Sequence, residues 1–386
     1  MDFTLTPEQT RYREAVRDVC ARFPESYWQG LDAQRRYPEE FVQALQDGGW
    51  LGVLIPSEYG GAGLGMVEAC VVLEEINASG ANGAACHAQM YTMGALLRHG
   101  TPEQKRRYLP EIAAGRLRLQ AMGVTEPQAG SDTSRITTFA RRDGQGWVVR
   151  GQKVFTSRVQ HSDLLLLLAR TTPAEQVARK TDGMSLFLCD LREAGAAVEV
   201  RPIATMANHE TNALFLEDLR LPAGALVGEE GQGFRHLLDG LNAERILIAS
   251  ESIGDARWFI DRSVAYARER VVFDRPIGAN QGVQFPIARA YMHAEAASLM
   301  RWQAATRFDA GQPCGAPANM AKLLASEAAW EAAEVAMTTH GGSGMAVELG
   351  VERKFREARL YLVAPVTNNL VTAYVAEHVL GLPRSY

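Results

Sequence analysis

The spacing of apolar residues changes twice along the chain, and this change constrains the fold more than any other feature of the sequence. Before residue 121, apolar side chains recur at the steps of an amphipathic helix. From there to about residue 230, short apolar runs bounded by glycine and proline indicate β-strands, and long helical segments follow. We therefore expect an all-α domain over 1–120, a β-barrel or sandwich domain over 121–230 and an all-α domain over 231–386.

Two helix starts are marked by the same four residues. Thr-Pro-Glu-Gln occurs at 6–9 and again at 101–104, a capping box with proline at the first helical position. Other helices are expected over 67–76, 90–99, 234–270, 285–310, 316–340, 351–363 and 370–380, and strands over 144–152, 163–170, 184–190, 197–201 and 212–219.

Composition excludes several classes of protein. The net charge of -5 gives no basic surface for nucleic acid. The 5 cysteines are odd in number and widely spread, which favours reduced thiols over a disulfide framework or a metal site. The start of the chain has no secretory signal, and the longest apolar run, Leu164–Ala169, is far below the roughly 20 residues of a membrane span. We expect a cytoplasmic protein without a membrane span or bound metal.

A glycine-rich segment, Gly60–Gly65, has two interpretations. It could be a dinucleotide-binding loop, but such a loop needs a strand before it and an acidic residue after the next strand. Pro56 and Tyr59 precede it and its neighbours have helical patterns. The sequence therefore favours a tight surface turn.

The stretch Met122–Ser134 is the most informative about function. Gly130 allows backbone N–H groups to approach a ligand closely, and the Thr125 and Ser131 hydroxyls can each donate and accept hydrogen bonds. These features suit a planar, polar, partly anionic cofactor. They also suit an ordinary capped loop in which Ser131 and Asp132 form a turn.

Gly123–Asp132 resembles the first signature of the acyl-CoA dehydrogenase family, with a departure at Arg135, where the family usually has a small residue. The order of helices, β domain and helices is similar to the architecture of that family over nearly the whole chain. The resemblance implies an α+β multidomain fold that ends in a four-helix bundle, FAD as cofactor and an acyl-CoA substrate.

The segment Gln152–Ser157 resembles the stretch with which the family holds the flavin ring. The resemblance places the Phe155 ring, where the family more often has Trp, against the isoalloxazine, and the Ser157 hydroxyl at its N5–O4 edge. Without the resemblance, this segment is a strand with one core aromatic. Together with the later motifs, the resemblance implies these cofactor-binding residues: Met122, Val124, Thr125, Gly130, Ser131, Phe155, Thr156, Ser157, Arg270, Phe273, Ile277, Gln281, Thr338, Gly341, Gly342, Thr367 and Asn369.

Two of those later motifs lie in the C-terminal helices. Arg268–Gln281 resembles a family segment whose arginine, here Arg270, binds the cofactor pyrophosphate across a subunit boundary. A solvated charged helix end is the other interpretation. His340–Gly344 resembles the second family signature, in which Thr338 replaces the usual glutamine. We interpret His340 as a helix cap rather than a catalytic group.

The catalytic base is the largest departure from the family. Most members place a glutamate where this chain has Pro365, and no acid occurs from Ala358 through Tyr374. A minority places the base before an arginine on an earlier helix, which here is Glu244 before Arg245. An exposed helical Glu-Arg pair is the alternative interpretation. The resemblance implies Glu244 as base, and Ser131, Asn242 and Arg245 as substrate-binding residues.

Three functions remain open from the sequence. The first is an FAD-dependent acyl-CoA dehydrogenase of fatty acid metabolism, a homotetramer or homodimer that makes trans-2-enoyl-CoA and passes electrons to an electron-transfer flavoprotein. The second is an acyl-CoA oxidase or flavin monooxygenase of the same fold. The third is a non-catalytic scaffold, which is supported only by the loss of the usual base at Pro365.

Overall fold

The structure is a computed structural model that describes residues 4–384. Its element order of helices, strands and helices confirms the expected fold class. The helices are α1 Pro7–Ala21, α2 Glu25–Gln34, α3 Glu39–Asp47, α4 Met66–Ala78, α5 Ala84–His99, α6 Pro102–Ala113, α7 Gly233–Glu269, α8 Gln281–Asp309, α9 Gly315–His340, α10 Val351–Ala358 and α11 Asn368–Tyr374. The strands are β1 Ala121–Gly123, β2 Phe139–Asp143, β3 Gly146–Ser157, β4 Leu164–Arg170, β5 Met184–Asp190, β6 Val198–Pro202, β7 Thr211–Leu221, β8 Leu226–Val227, β9 Val271–Val272 and β10 Arg275–Pro276.

The chain divides into two compact units. We call Val42–Leu64 with Ala84–Leu241 the sheet unit, and the remainder, up to Phe41, Gly65–Gly83 and from Asn242 onward, the helical unit.

The sheet unit is built around an 8-stranded mixed sheet. Its order is β6-β7-β3-β2-β4-β5-β8, and β1 pairs in parallel with β4. Every residue of β4 is buried. Its alternate side chains enter two cores, because Leu164, Leu166 and Leu168 pack among residues of α5 and α6 while Leu165 and Leu167 pack with Trp147 and Phe187. The apolar run of the sequence is therefore a strand covered on both faces.

The helical unit contains the longest helices. The alanines of α9 explain how it packs, since Ala325, Ala329, Ala333 and Ala336 are completely buried and small side chains permit close helix approach. The capping box expected at Thr6 is present, with the Gln9 N–H donating to Thr6 Oγ1 at 3.2 Å. The matching box at Thr101 caps α6 in the sheet unit.

Several boundaries differ from the sequence prediction. The short helices α2 and α3 were not expected, because α2 contains a glycine and no side chain caps its start. Helix α8 begins at Gln281, four residues earlier than expected, and contains Pro286, which removes one N–H donor from the helix. The helix expected to continue to Val363 leaves the α-conformation after Ala358 and continues as a 3-10 turn.

The interpretation of Gly60–Gly65 as a turn is confirmed. Residues 4–59 contain no strand, Gly60 and Gly63 have φ values of 83° and 64°, and α4 follows directly. All 5 cysteines are buried, and none of them forms a disulfide. Within residues 4–384, no helix is both long and apolar enough to cross a membrane.

Candidate active site

The loop that follows β1 is held by one buried carboxylate. Glu126 accepts hydrogen bonds from the Thr137 N–H at 2.7 Å and from the Thr138 N–H at 3.0 Å. Lys153 on β3 adds an ion pair at 2.8 Å and donates to the Val124 carbonyl at 3.0 Å. Burial alone would raise the pKa of Glu126, but the Lys153 cation and these hydrogen bonds lower that pKa to about 2. The carboxylate is therefore ionised, and it fixes the shape of the loop.

The predicted ligand-binding residues of this loop lie on both sides of Glu126. Met122, Val124 and Thr125 are half-buried, and the Thr125 carbonyl accepts from the Val154 N–H at 2.9 Å. Gly130 and Ser131 are exposed at the far end. The ion pair with Lys153 thus ties this loop to the strand that carries the next group of predicted residues.

Phe155 is presented to solvent by an irregularity in β3. The register of β3 against β7 shifts between Lys153 and Thr156, and Phe155 there has a φ of 56°. A bulky residue in the left-handed region is an outlier whose backbone strain the surrounding structure must offset. Its ring is 64% exposed. The strand therefore holds a flat aromatic face outward instead of burying it, which the interpretation as a core aromatic does not explain.

The two hydroxyl residues after Phe155 differ in their surroundings. The Thr156 hydroxyl is buried and, within residues 4–384, has no hydrogen-bond partner. Ser157 Oγ accepts a hydrogen bond from Asn208 Nδ2 at 2.9 Å and lies 3.4 Å from Thr211 Oγ1. Met122, Thr125, Phe155 and Ser157 thus belong to adjoining strands and one loop of the sheet unit.

In the helical unit, Arg270 and Phe273 lie on a short hairpin. β9 and β10 pair in antiparallel fashion, and the two residues between them, Phe273 and Asp274, have φ values of 50° and 64°. This is the geometry of a tight hairpin turn that normally selects Asn or Gly. Phe273 is nevertheless there and 94% exposed. The Ile277 N–H donates a hydrogen bond to the Arg270 carbonyl at 2.9 Å, which joins the two ends of the hairpin. Gln281 begins α8 after the hairpin.

The glycine signature follows α9. Gly341 ends the helix with φ 56° and ψ -133°, a conformation open to glycine alone, and Gly342 follows it, exposed. The interpretation of His340 as a cap is confirmed, since its Nδ1 lies 2.8 Å from the Ala336 carbonyl. Burial lowers the pKa of His340, which favours the neutral form of its ring. Thr338, one turn earlier, is exposed.

Glu244 and Arg245 occupy consecutive positions near the start of the helical-unit part of α7. Glu244 is only 5% exposed, so the interpretation as an exposed Glu-Arg pair is wrong. Arg245 donates to Asn242 Oδ1 at 3.1 Å. Burial lowers the pKa of Arg245, while the charge of Glu244 opposes this shift. A buried carboxylate next to a half-buried guanidinium is the chemistry expected of a general base beside a polar substrate group.

A buried lysine of α9 holds the segment that contains Pro365. Lys322 Nζ on α9 donates to the Val366 carbonyl and to Asn368 Oδ1, both at 2.7 Å. Burial, together with the charge of Arg245, lowers the pKa of Lys322 to about 8. Lys322 therefore anchors the segment after Pro365, and its charge repels that of Arg245.

The remaining predicted residues lie at the end of that segment. Thr367 caps α11, where its hydroxyl accepts from the Leu370 N–H at 3.4 Å, and Asn369 is exposed. The sequence interpretation missed Lys153, Asn208 and Lys322. Only Lys153 carries a usable signal, because it lies within the motif segment Gln152–Ser157.

Comparison with known proteins gives one consistent result. Residues 6–116, 121–219 and 231–380 match the N-terminal, middle and C-terminal domains of acyl-CoA dehydrogenases. The acyl-CoA dehydrogenase FadE12 of Mycobacterium tuberculosis is 38% identical over 389 residues, which cover 100% of this chain and 99% of the relative.

Solved structures agree over the same length. Glutaryl-coenzyme A dehydrogenase in its glutaryl-CoA complex is 29% identical with a TM-score of 0.93, covering 100% of this chain and 98% of its own. The prolyl acyl carrier protein oxidase AnaB is 25% identical with a TM-score of 0.91, covering 98% and 100%.

Proposed function

This chain belongs to the acyl-CoA dehydrogenase family of FAD-dependent oxidoreductases, and from that premise we propose that it converts an acyl-CoA thioester to trans-2-enoyl-CoA with Glu244 as the base. The observation that carries the proposal is the burial of Glu244 beside Arg245. The Pro365 segment itself contains no acid from Ala358 through Tyr374.

The residues of the sheet unit fit an FAD ring. The outward Phe155 ring, the half-buried Ser157 hydroxyl and the Thr156 hydroxyl, which lacks a partner within residues 4–384, are features that a planar ligand with polar edges would use. When bound, FAD accepts the two electrons and the β-hydrogen that leave the substrate. Phe155 would pack on the ring, and Thr125 and Ser157 would bond its polar edges. Met122, Val124, Gly130 and Ser131 would line the same ligand.

The helical unit would contact the cofactor of a neighbouring copy. Arg270 suits a pyrophosphate because its planar guanidinium gives paired, charge-assisted bonds. Phe273 is at the tip of the same hairpin, and its exposed ring favours an external partner. Ile277 and Gln281 follow after the hairpin. We assign the exposed backbone of the glycine signature to that cofactor as well, with Thr338, Gly341, Gly342, Thr367 and Asn369 as the remaining contacts.

We assign to Glu244 the removal of the α-proton of the substrate. Removing a proton next to a thioester carbonyl requires a carboxylate base and donors that stabilise the enolate that forms. Asn242 and Arg245 supply an amide and a guanidinium on the same turn of α7, and Ser131 supplies a hydroxyl. Pro365 can supply neither an acid nor an N–H.

Anaerobic mixing with a panel of straight-chain and branched acyl-CoA thioesters tests the reaction. We expect at least one member to bleach the yellow flavin absorbance and to yield the 2-enoyl product. A protein that holds FAD but is bleached by none of them, while dithionite reduces it, would contradict the dehydrogenase function and favour a scaffold.

An oxidase of the same fold is the second candidate, favoured by the likeness to AnaB and by the loss of the usual base at Pro365. After reduction by substrate, rapid reoxidation by oxygen with release of hydrogen peroxide would identify an oxidase or a monooxygenase. Slow reoxidation, with rapid transfer to an electron-transfer flavoprotein, would support the dehydrogenase.

We further propose that the protein acts in fatty acid metabolism in the cytoplasm and that its domains are 1–120, 121–230 and 231–386. We also propose that it forms a homotetramer or homodimer. Helix α8 supports oligomerisation because Phe285, Met292 and Leu299 are exposed and recur every seven residues along one face. Sedimentation of wild type and of a Phe285→Glu, Met292→Glu variant tests this, and an unchanged monomeric mass in both would reject it.

A further inference from the structure

Three residues other than glycine adopt left-handed backbone conformations around Ser157. Phe155, Arg158 and Asn208 have φ values of 56°, 59° and 54°. Asparagine tolerates this region better than most residues, whereas arginine and phenylalanine do not. Such strain persists only where the surrounding structure enforces it, and it concentrates at functional sites. The strained backbone around Ser157 therefore indicates that the surrounding structure fixes the positions of these side chains.

The Asn208 side chain is oriented by its neighbours. Its Oδ1 accepts from Arg158 Nη1 at 3.0 Å, which fixes the amide so that Nδ2 faces the opposite side. From there Nδ2 donates to Ser157 Oγ and to Thr211 Oγ1, each at 2.9 Å. The amide therefore acts only as a donor toward the two hydroxyls.

This arrangement decides what Ser157 can do with its proton. The Thr211 hydroxyl donates its own proton to the backbone carbonyl of Asn208 at 2.7 Å. The Ser157 and Thr211 oxygens are 3.4 Å apart, at the outer limit for a hydrogen bond. Because Ser157 Oγ already accepts from Asn208, its proton is available for an acceptor outside this cluster.

We propose that Asn208 is a positioning residue that commits Ser157 to donate a hydrogen bond to the N5–O4 edge of the flavin. The proposal rests on the proposed function, because it needs an FAD ring beside Ser157. A donor held at this edge stabilises the negative charge that develops there, and the stabilisation is larger when the donor need not reorient.

Two substitutions separate the side chain from the backbone conformation. Asn208→Gly keeps the left-handed φ at no steric cost and removes the amide. Asn208→Asp keeps the length of the side chain but replaces the donor with an acceptor, so the Ser157 proton would turn toward the carboxylate. Ser157→Ala supplies the background for a double-mutant cycle.

We expect all three variants to retain FAD, with a lower midpoint potential of the bound flavin in each. Reduction by substrate should slow about 10-fold in Asn208→Gly and on the order of 100-fold in Asn208→Asp, in line with the loss of one donor to a developing anion. In the Ser157→Ala background, Asn208→Gly should change neither the potential nor the rate by more than about 2-fold, since its target is absent.

A wild-type potential and rate in Asn208→Gly would overturn the proposal, as would an equal loss with and without Ser157. The midpoint potential needs no acyl-CoA substrate, so it decides the role of Asn208 even if no thioester bleaches the flavin and the dehydrogenase function fails. Failure of the wild-type protein to take up FAD would reject both.

Discussion

Lys153 Nζ lies 2.8 Å from Glu126 Oε1, and the two side chains are only 0% and 1% exposed. This pair joins the loop after β1 to β3, and so joins two parts of the proposed flavin site. Because both charges are out of water, the pair matters chiefly through the cost of leaving one of them alone.

Lys153→Met should destabilise the protein by about 3–5 kcal/mol, because it leaves the Glu126 carboxylate buried without its cation. The matched control is the pair of Arg150, also on β3, with Asp218 on β7, whose side chains are 72% and 54% exposed. Arg150→Met should cost at most about 1 kcal/mol. Urea unfolding measures both, and equal costs for the two variants would contradict the importance of the buried pair.

Replacing Phe155 should separate stability from cofactor binding. Phe155→Gly removes a ring that is 64% exposed and relieves its left-handed backbone, so stability of the apoprotein should change by no more than about 1 kcal/mol. The affinity for FAD should fall because the flat face is lost, whereas Phe155→Trp should retain it. Thermal unfolding of apoprotein and titration with FAD measure the two effects. Unchanged FAD affinity in Phe155→Gly would remove Phe155 from the site.

Gly341 and Gly342 should respond differently to the same substitution. Both have open space where a side chain would be, but only Gly341 has a positive φ. Gly341→Ala should therefore cost roughly 1–3 kcal/mol and Gly342→Ala much less. Chemical denaturation compares them directly, and similar costs would show that backbone strain is not the cause.

Lys322 should make stability rise with pH. Burial, with the charge of Arg245, lowers its pKa to about 8 in the folded protein, while the unfolded value is roughly 10.4. Between these values the unfolded chain binds more protons, so higher pH favours folding. The stability of wild type relative to Lys322→Met should grow by roughly 1–2 kcal/mol between pH 7.5 and 9.5. A constant difference would mean that Lys322 keeps its ordinary pKa.

Local signals in the sequence predicted most of the fold. The boxes at Thr6 and Thr101 mark helix starts within four residues, and the apolar run of β4 is unambiguous once strands are expected. The unexpected helices α2 and α3 lack such signals. Their formation depends on packing, for example of Trp28 and Phe41, whose rings lie 4.9 Å apart.

The site was harder to predict from the sequence, because the residues that hold it are far apart along the chain. Lys322 bonds a carbonyl 44 residues later, and Asn208 bonds a serine 51 residues earlier. No periodicity in the sequence encodes such pairs. The positive φ of Phe155 likewise arises from the register of β3 on β7, which a single strand does not reveal. The motif residues could be named, but the groups that hold them could not.

The identity of the base is tested most directly by stopped-flow reduction of the flavin with an acyl-CoA that bleaches wild type. Glu244→Gln should keep its FAD and lose bleaching by a factor of at least about 100, as expected when general-base catalysis is removed. The control is Glu251→Gln, because Glu251 lies two turns further along α7 and is also buried. This variant should bleach within about 10-fold of wild type, since loss of a carboxylate that does not act as the base affects the rate only indirectly. Bleaching of Glu244→Gln at the wild-type rate, or loss of bleaching in Glu251→Gln alone, would contradict the assignment.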